Sequence, residues 1–110
     1  MIELRQQRRR PVNLLVNKYV DGVPHLCRAV NLSASGMLLY KIGEPAFAPG
    51  PVELEFLMPD VELVVRLRGQ VLAETTTARA HAVRFTQIPA EVAELLAEVL
   101  SDEQPRRAAL

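Results

Sequence analysis

From residue 12 the chain alternates. Val12, Leu14 and Val16 fall on one side and Asn13 and Asn17 on the other, the period of a half-buried strand. Asp21-Gly22 follows, a pair that favours a tight hairpin turn, and leads into a second strand over 26–32. Beyond a small polar turn at 33–36, residues 37–40 read as a short apolar strand. Gly43, Pro45, Pro49, Gly50 and Pro51 then mark a loop. Residues 52–58 alternate cleanly with Glu53 and Glu55 outward, and Pro59-Asp60 ends the run. A long strand is expected over 62–74, with Leu63, Val65 and Leu67 inward. Arg66 and Arg68 point outward there, forming a solvated face opposite Glu53 and Glu55. Gly69 marks a bulge or sharp bend in that strand. The last strand spans 78–85, with Val83 and Phe85 inward and Arg84 outward.

The period then changes. Val92, Leu95, Leu96, Val99 and Leu100 share one helical face, Glu91, Glu94 and Glu98 lie away from it, and Pro89 suits the first turn. Short strands joined by turn residues predict an all-β domain, a small antiparallel barrel of about six strands. A C-terminal α-helix caps an open side or end of it. Residues 1–11 carry no period and read as a flexible arm, 12–101 as the barrel with its helix, and 102–110 as a tail.

Length and charge refine this picture. At 110 residues the chain holds one domain with one modest core. The formal net charge is +0 but unevenly placed. Residues 1–30 hold six basic and two acidic side chains, or +4, so residues 31–110 carry the compensating −4. Arg5, Arg8, Arg9 and Arg10 supply most of the excess, with no run of acids beside them. A guanidinium fork matches phosphate or the acceptor edge of guanine, so the cluster predicts a focused anion site. Cys27 is the one cysteine, alternating within a strand, and reads as a core residue. A reducing, cytoplasmic setting is expected, as no segment approaches the ~18 apolar residues of a membrane span.

Two motifs complete the reading. Arg5-Gln6-Gln7-Arg8-Arg9 has R-x-x-x-R spacing, and Asn31-Leu32-Ser33-Ala34-Ser35-Gly36 has [D/N]-x-S-x-x-G spacing. In this order and separation, the pair resembles the PilZ domain, the bacterial receptor module for cyclic di-GMP. Pro11-Val12-Asn13-Leu14 is similar to the segment after the family's second motif arginine, and Ala82-Val83-Arg84-Phe85 to its last barrel strand. The resemblance spans almost the whole chain. It departs from the family at Leu4, where an arginine often precedes the motif, at Asn31, where aspartate is commoner, and at Ala82, a frequent glycine.

The resemblance implies a ligand site for cyclic di-GMP made of Arg5, Arg9, Asn31, Ser33 and Gly36, with Arg8, Arg10 and Arg84 as further candidates. Physically, Arg5 and Arg9 clamp phosphate or guanine, and the Asn31 amide donates and accepts at a guanine edge. Ser33 donates a hydroxyl, and Gly36 turns the chain with positive φ and lets backbone approach the ligand. Binding would order the arm and signal to a downstream protein that the sequence does not identify. Two other functions are compatible with these residues: a ligand-independent interaction module on the same fold, and nucleic-acid binding through the basic arm. The latter is disfavoured because the chain has no tryptophan and few aromatics for base stacking. No cofactor, metal site or enzymatic activity is expected. His25 and His81 lack ligands at metal spacing, and no general base can be named for Ser33.

Overall fold

The computed structural model describes residues 9–42, 49–73 and 79–101. Within them lie β1 (Arg9–Val20), β2 (Val23–Ser33), β3 (Gly36–Lys41), β4 (Gly50–Met58), β5 (Leu63–Val71), β6 (Ala80–Gln87) and a helix, α1 (Ala90–Val99). The strands close into an antiparallel barrel in the ring order β1-β2-β3-β6-β5-β4. Closure removes every sheet edge, so no strand is left with an unpaired ladder. Arg5 and Arg8, much of the Gly/Pro loop, the end of the expected 62–74 strand and the 102–110 tail lie outside the described residues.

The alternation read along the chain becomes the barrel wall. Val16, Cys27, Ala29, Leu39, Leu54, Phe56, Val65, Leu67, Val83 and Phe85 meet in one interior core. From α1, Val92, Leu96 and Val99 join the same core, so the helix closes the barrel rather than standing apart. Asp21 (φ 52°) and Gly22 (φ 81°) both take the left-handed conformation and join Val20 to Val23 in a two-residue hairpin. Gly69 sits at a register shift between β5 and β6, where a Cβ would fall 2.5 Å from Val83 Cγ1. A bulge with close strand approach is therefore its role.

Three points differ from expectation. β1 begins at Arg9, so Arg9, Arg10 and Pro11 pair with Ser33, Leu32 and Asn31 although the arginine run shows no alternation. The pairing shifts between Pro11 and Leu14, as expected beside a proline that has no N–H for the ladder. Leu63, expected inward, is 53% exposed. Asp60 (φ 72°) and Glu62 (φ 55°) turn the chain just before it, and the alternation of β5 takes hold only at Val65.

The third point is Lys18. The inward phase of Val12, Leu14 and Val16 continues to it, and it is fully buried with Nζ 3.3 Å from His81 Nε2. Burial, then the charges of Lys18 and Lys41, hold the His81 pKa down at about 3. His81 is thus neutral at ordinary pH, with its Nε2 facing Lys18 Nζ. No helix among the described residues is long and apolar enough to cross a membrane.

Candidate functional site

The turn at 33–36 is built by a side chain. Ser33 Oγ accepts from the N–H of Ser35 (3.2 Å) and of Gly36 (3.2 Å), and lies 3.3 Å from Gly36 O, to which its own hydrogen can go. Phe85 N–H donates to Ser35 O at 2.7 Å and ties the turn to β6. Ser33 is accordingly buried, and its hydroxyl, expected to donate to a ligand, instead holds the bend in shape. The hydroxyl thus accepts from two backbone donors at the bend between β2 and β3.

Gly36 is required for a different reason than expected. Its φ lies outside the left-handed region. A Cβ there would sit 2.3 Å from Val83 O and 3.3 Å from Arg84 Cα, so glycine lets β3 lie against β6. The close approach is to the neighbouring strand.

The register then gathers the candidates. Arg9 is opposite Ser33, Pro11 opposite Asn31, Gly36 opposite Arg84, and Leu38 opposite Ala82. The turn is therefore flanked by Arg9 on β1 and Arg84 on β6. Three strand spacings of roughly 4.8 Å separate their backbones, or about 14 Å. Between them lies a cleft of about 460 Å³ whose lining includes Arg9, Asn31, Ser33, Gly36, Leu38, Leu72, Ala82 and Arg84. Clefts of roughly 300–1,000 Å³ with an apolar floor and a few convergent polar groups are the usual form of a small-molecule site. Here Leu38, Ala82 and Leu72 give the floor, and two arginines and an amide give the polar rim.

Arg10 is not brought to the cleft. Strand alternation sends it to the other face from Arg9. Its Nη1 donates to Asp60 Oδ2 at 2.6 Å and to Val99 O at 3.3 Å. The last turn of α1 has no basic residue, so Arg10 supplies the cation that its carbonyl end favours. Sequence reasoning missed Leu38 and Leu72. Leu38 had a signal, since an apolar run occupying both faces of a strand puts one leucine outside. Leu72 had none; it reaches the cleft because its N–H donates to Ala82 O (3.1 Å) past the end of β5.

A closed six-stranded barrel with a helix across it and an arginine-rimmed cleft beside a serine-built turn defines a small β-barrel binding domain. The chain belongs to the PilZ domain family, whose model matches residues 3–102. A search of curated proteins returns no significant match. Among solved structures, it is similar to the Bacillus subtilis inhibitor of motility MotI/DgrA, at 20% identity and a TM-score of 0.68. That match covers 96% of this chain and 51% of the other, so the chain spans about half the length of that protein. The PilZ domain of YcgR from Escherichia coli, solved with c-di-GMP, is 19% identical with a TM-score of 0.66, covering 94% of each chain. The Borreliella burgdorferi PlzA protein, in complex with c-di-GMP, is 18% identical with a TM-score of 0.53, covering 81% of this chain and 32% of the other. At these identities the structures establish the shared fold.

Proposed function

We propose that this chain is a cyclic di-GMP receptor domain. The observation that carries the reading is the register that sets Arg9 and Arg84 on either side of the 33–36 turn, over an apolar floor. Two phosphates and two guanines need dispersed cations and a flat apolar surface, and this cleft offers both. The c-di-GMP in the similar YcgR and PlzA structures supports the same ligand class. Arg5, one R-x-x-x-R step ahead of Arg9, would join the clamp. Closure would fix residues 1–8 against the barrel and make a new surface for a partner protein. The role is reception rather than catalysis, in keeping with a Ser33 hydroxyl engaged by two backbone N–H groups.

Each charge-assisted hydrogen bond contributes about 1.5–3 kcal/mol, so losing the Arg9 contacts should weaken binding at least about 10-fold. Calorimetric titration with cyclic di-GMP, with GTP and cyclic GMP as controls, tests the proposal. Saturable heat for the dinucleotide alone, reduced in Arg9→Ala, is expected. No heat at high micromolar ligand would refute it.

A further inference from the structure

The outer face of β4 and β5 carries a pattern that the cleft does not use. Read in register, its outward pairs are Leu57 with Val64, Glu55 with Arg66, and Glu53 with Arg68. Both acids are on β4 and both bases on β5. The apolar pair is 46% and 62% exposed, and Leu15, one step beyond the Val16–Phe56 pair on neighbouring β1, adds a side chain 54% exposed. The charged pairs are pre-set within the chain. Arg66 Nε is 3.6 Å from Glu55, Arg68 Nε 3.8 Å from Glu53, and the Arg66 guanidinium lies 4.6 Å from the Tyr19 ring centroid.

We propose that this face is an interface with a second copy of the chain. A two-fold axis running along the strands, between β4 and β5 and in the plane of contact, lays β4 of one copy over β5 of the other at the same level. Leu57 then meets the copy's Val64, Glu55 its Arg66, and Glu53 its Arg68, each contact occurring twice, as an isologous interface requires. The alternative in-plane axis, across the strands, lays β4 on β4 and β5 on β5 and brings like charges together. The charge pattern thus selects one of the two arrangements. Sheets packed face to face keep their strands within about 30°, close enough to preserve pairing over three levels. A standard stable interface uses roughly 20–30 residues a side, far more than this patch offers, so the dimer is a weak one. The cleft is centred on β2, β3 and β6, with Arg9 of β1 and Leu72 beyond the end of β5 at its margins, and does not include the outward residues of this face, so the inference stands apart from the ligand reading.

Analytical ultracentrifugation of the full chain, up to about 1 mM, tests it. A monomer–dimer equilibrium is expected for the wild type, weakened at least tenfold by Leu57→Thr with Val64→Thr, which keeps two strand-forming residues at exposed positions. Glu53→Arg with Glu55→Arg makes one variant, and Arg66→Glu with Arg68→Glu another. Each alone should remain monomeric, whereas their equimolar mixture should dimerise, with circular dichroism confirming that both are folded. If either charge variant fails to fold, the threonine variant decides. A wild type that is monomeric throughout overturns the proposal. So does a dimer indifferent to the threonine pair, or folded charge variants whose mixture does not associate.

Discussion

The two ends of the β1–β2–β3 ribbon make their turns by opposite means. At one end Asp21 and Gly22 reverse the chain with two positive φ angles, and nothing lies within 4 Å of where a Gly22 Cβ would be. At the other end φ at Gly36 is ordinary. The Ser33 hydroxyl gathers two backbone N–H groups and β6 presses against Gly36. The first turn is specified by backbone geometry alone and only connects strands. The second is specified by its contacts, which makes it rigid and gives the cleft a fixed wall. The interior differs too, since the buried Lys18–His81 pair lies toward the Asp21-Gly22 end.

The sharpest way to break this contrast is Gly36→Ala. Its methyl group would overlap Val83 O at 2.3 Å, and relief requires parting β3 from β6. A loss of about 3 kcal/mol or more is expected in denaturant unfolding, together with loss of the cleft. Next comes pH at the opposite end. His81 has a folded pKa of about 3 against an unfolded value near 6.5. Its contribution to stability is full above pH 6.5 and falls as pH drops toward 3, because the unfolded chain takes up the proton first. The unfolding free energy from denaturant titration should fall across that window with a slope approaching about 1.4 kcal/mol per pH unit, and His81→Gln should flatten it.

Ser33→Ala comes third. It removes the two hydrogen bonds that Ser33 Oγ accepts at the bend, at a cost of about 1–3 kcal/mol in thermal unfolding, and loosens the cleft wall. The smallest effect belongs to Gly22→Ala. Only the left-handed backbone penalty applies there, about 1 kcal/mol, and ligand affinity by calorimetry should be unchanged. Equal losses at Gly22 and Gly36 would collapse the distinction between the turns.

The same contrast explains what could be read from the sequence. Local chemistry was legible. The Asp21-Gly22 hairpin, the alternation of residues 52–58 and the facing of Glu53 and Glu55 toward Arg68 and Arg66 all follow from period and turn preference. Arg9, Asn31, Ser33 and Gly36 were also named, and the register brings them to one cleft. What escaped depends on strands distant in sequence. The turn pattern around Gly36 suggests a positive φ, whereas its true constraint, the carbonyl of Val83, is 47 residues away in sequence (83 − 36). Lys18 follows the inward phase of its strand, yet its tolerance there depends on His81, which no local pattern links to it. Arg9 and Arg10 looked equivalent in an arginine run. Only the start of β1 at Arg9 separates them, one to the cleft and one to Asp60 and the end of α1.

The most direct test of the central claim is amide chemical-shift mapping as cyclic di-GMP is added to labelled protein. Saturable shifts are expected at residues 33–38 and 82–84 and at Arg9, with the outer face of β4 and β5 unmoved. Shifts confined to β4 and β5, or none at saturating dinucleotide, would contradict it.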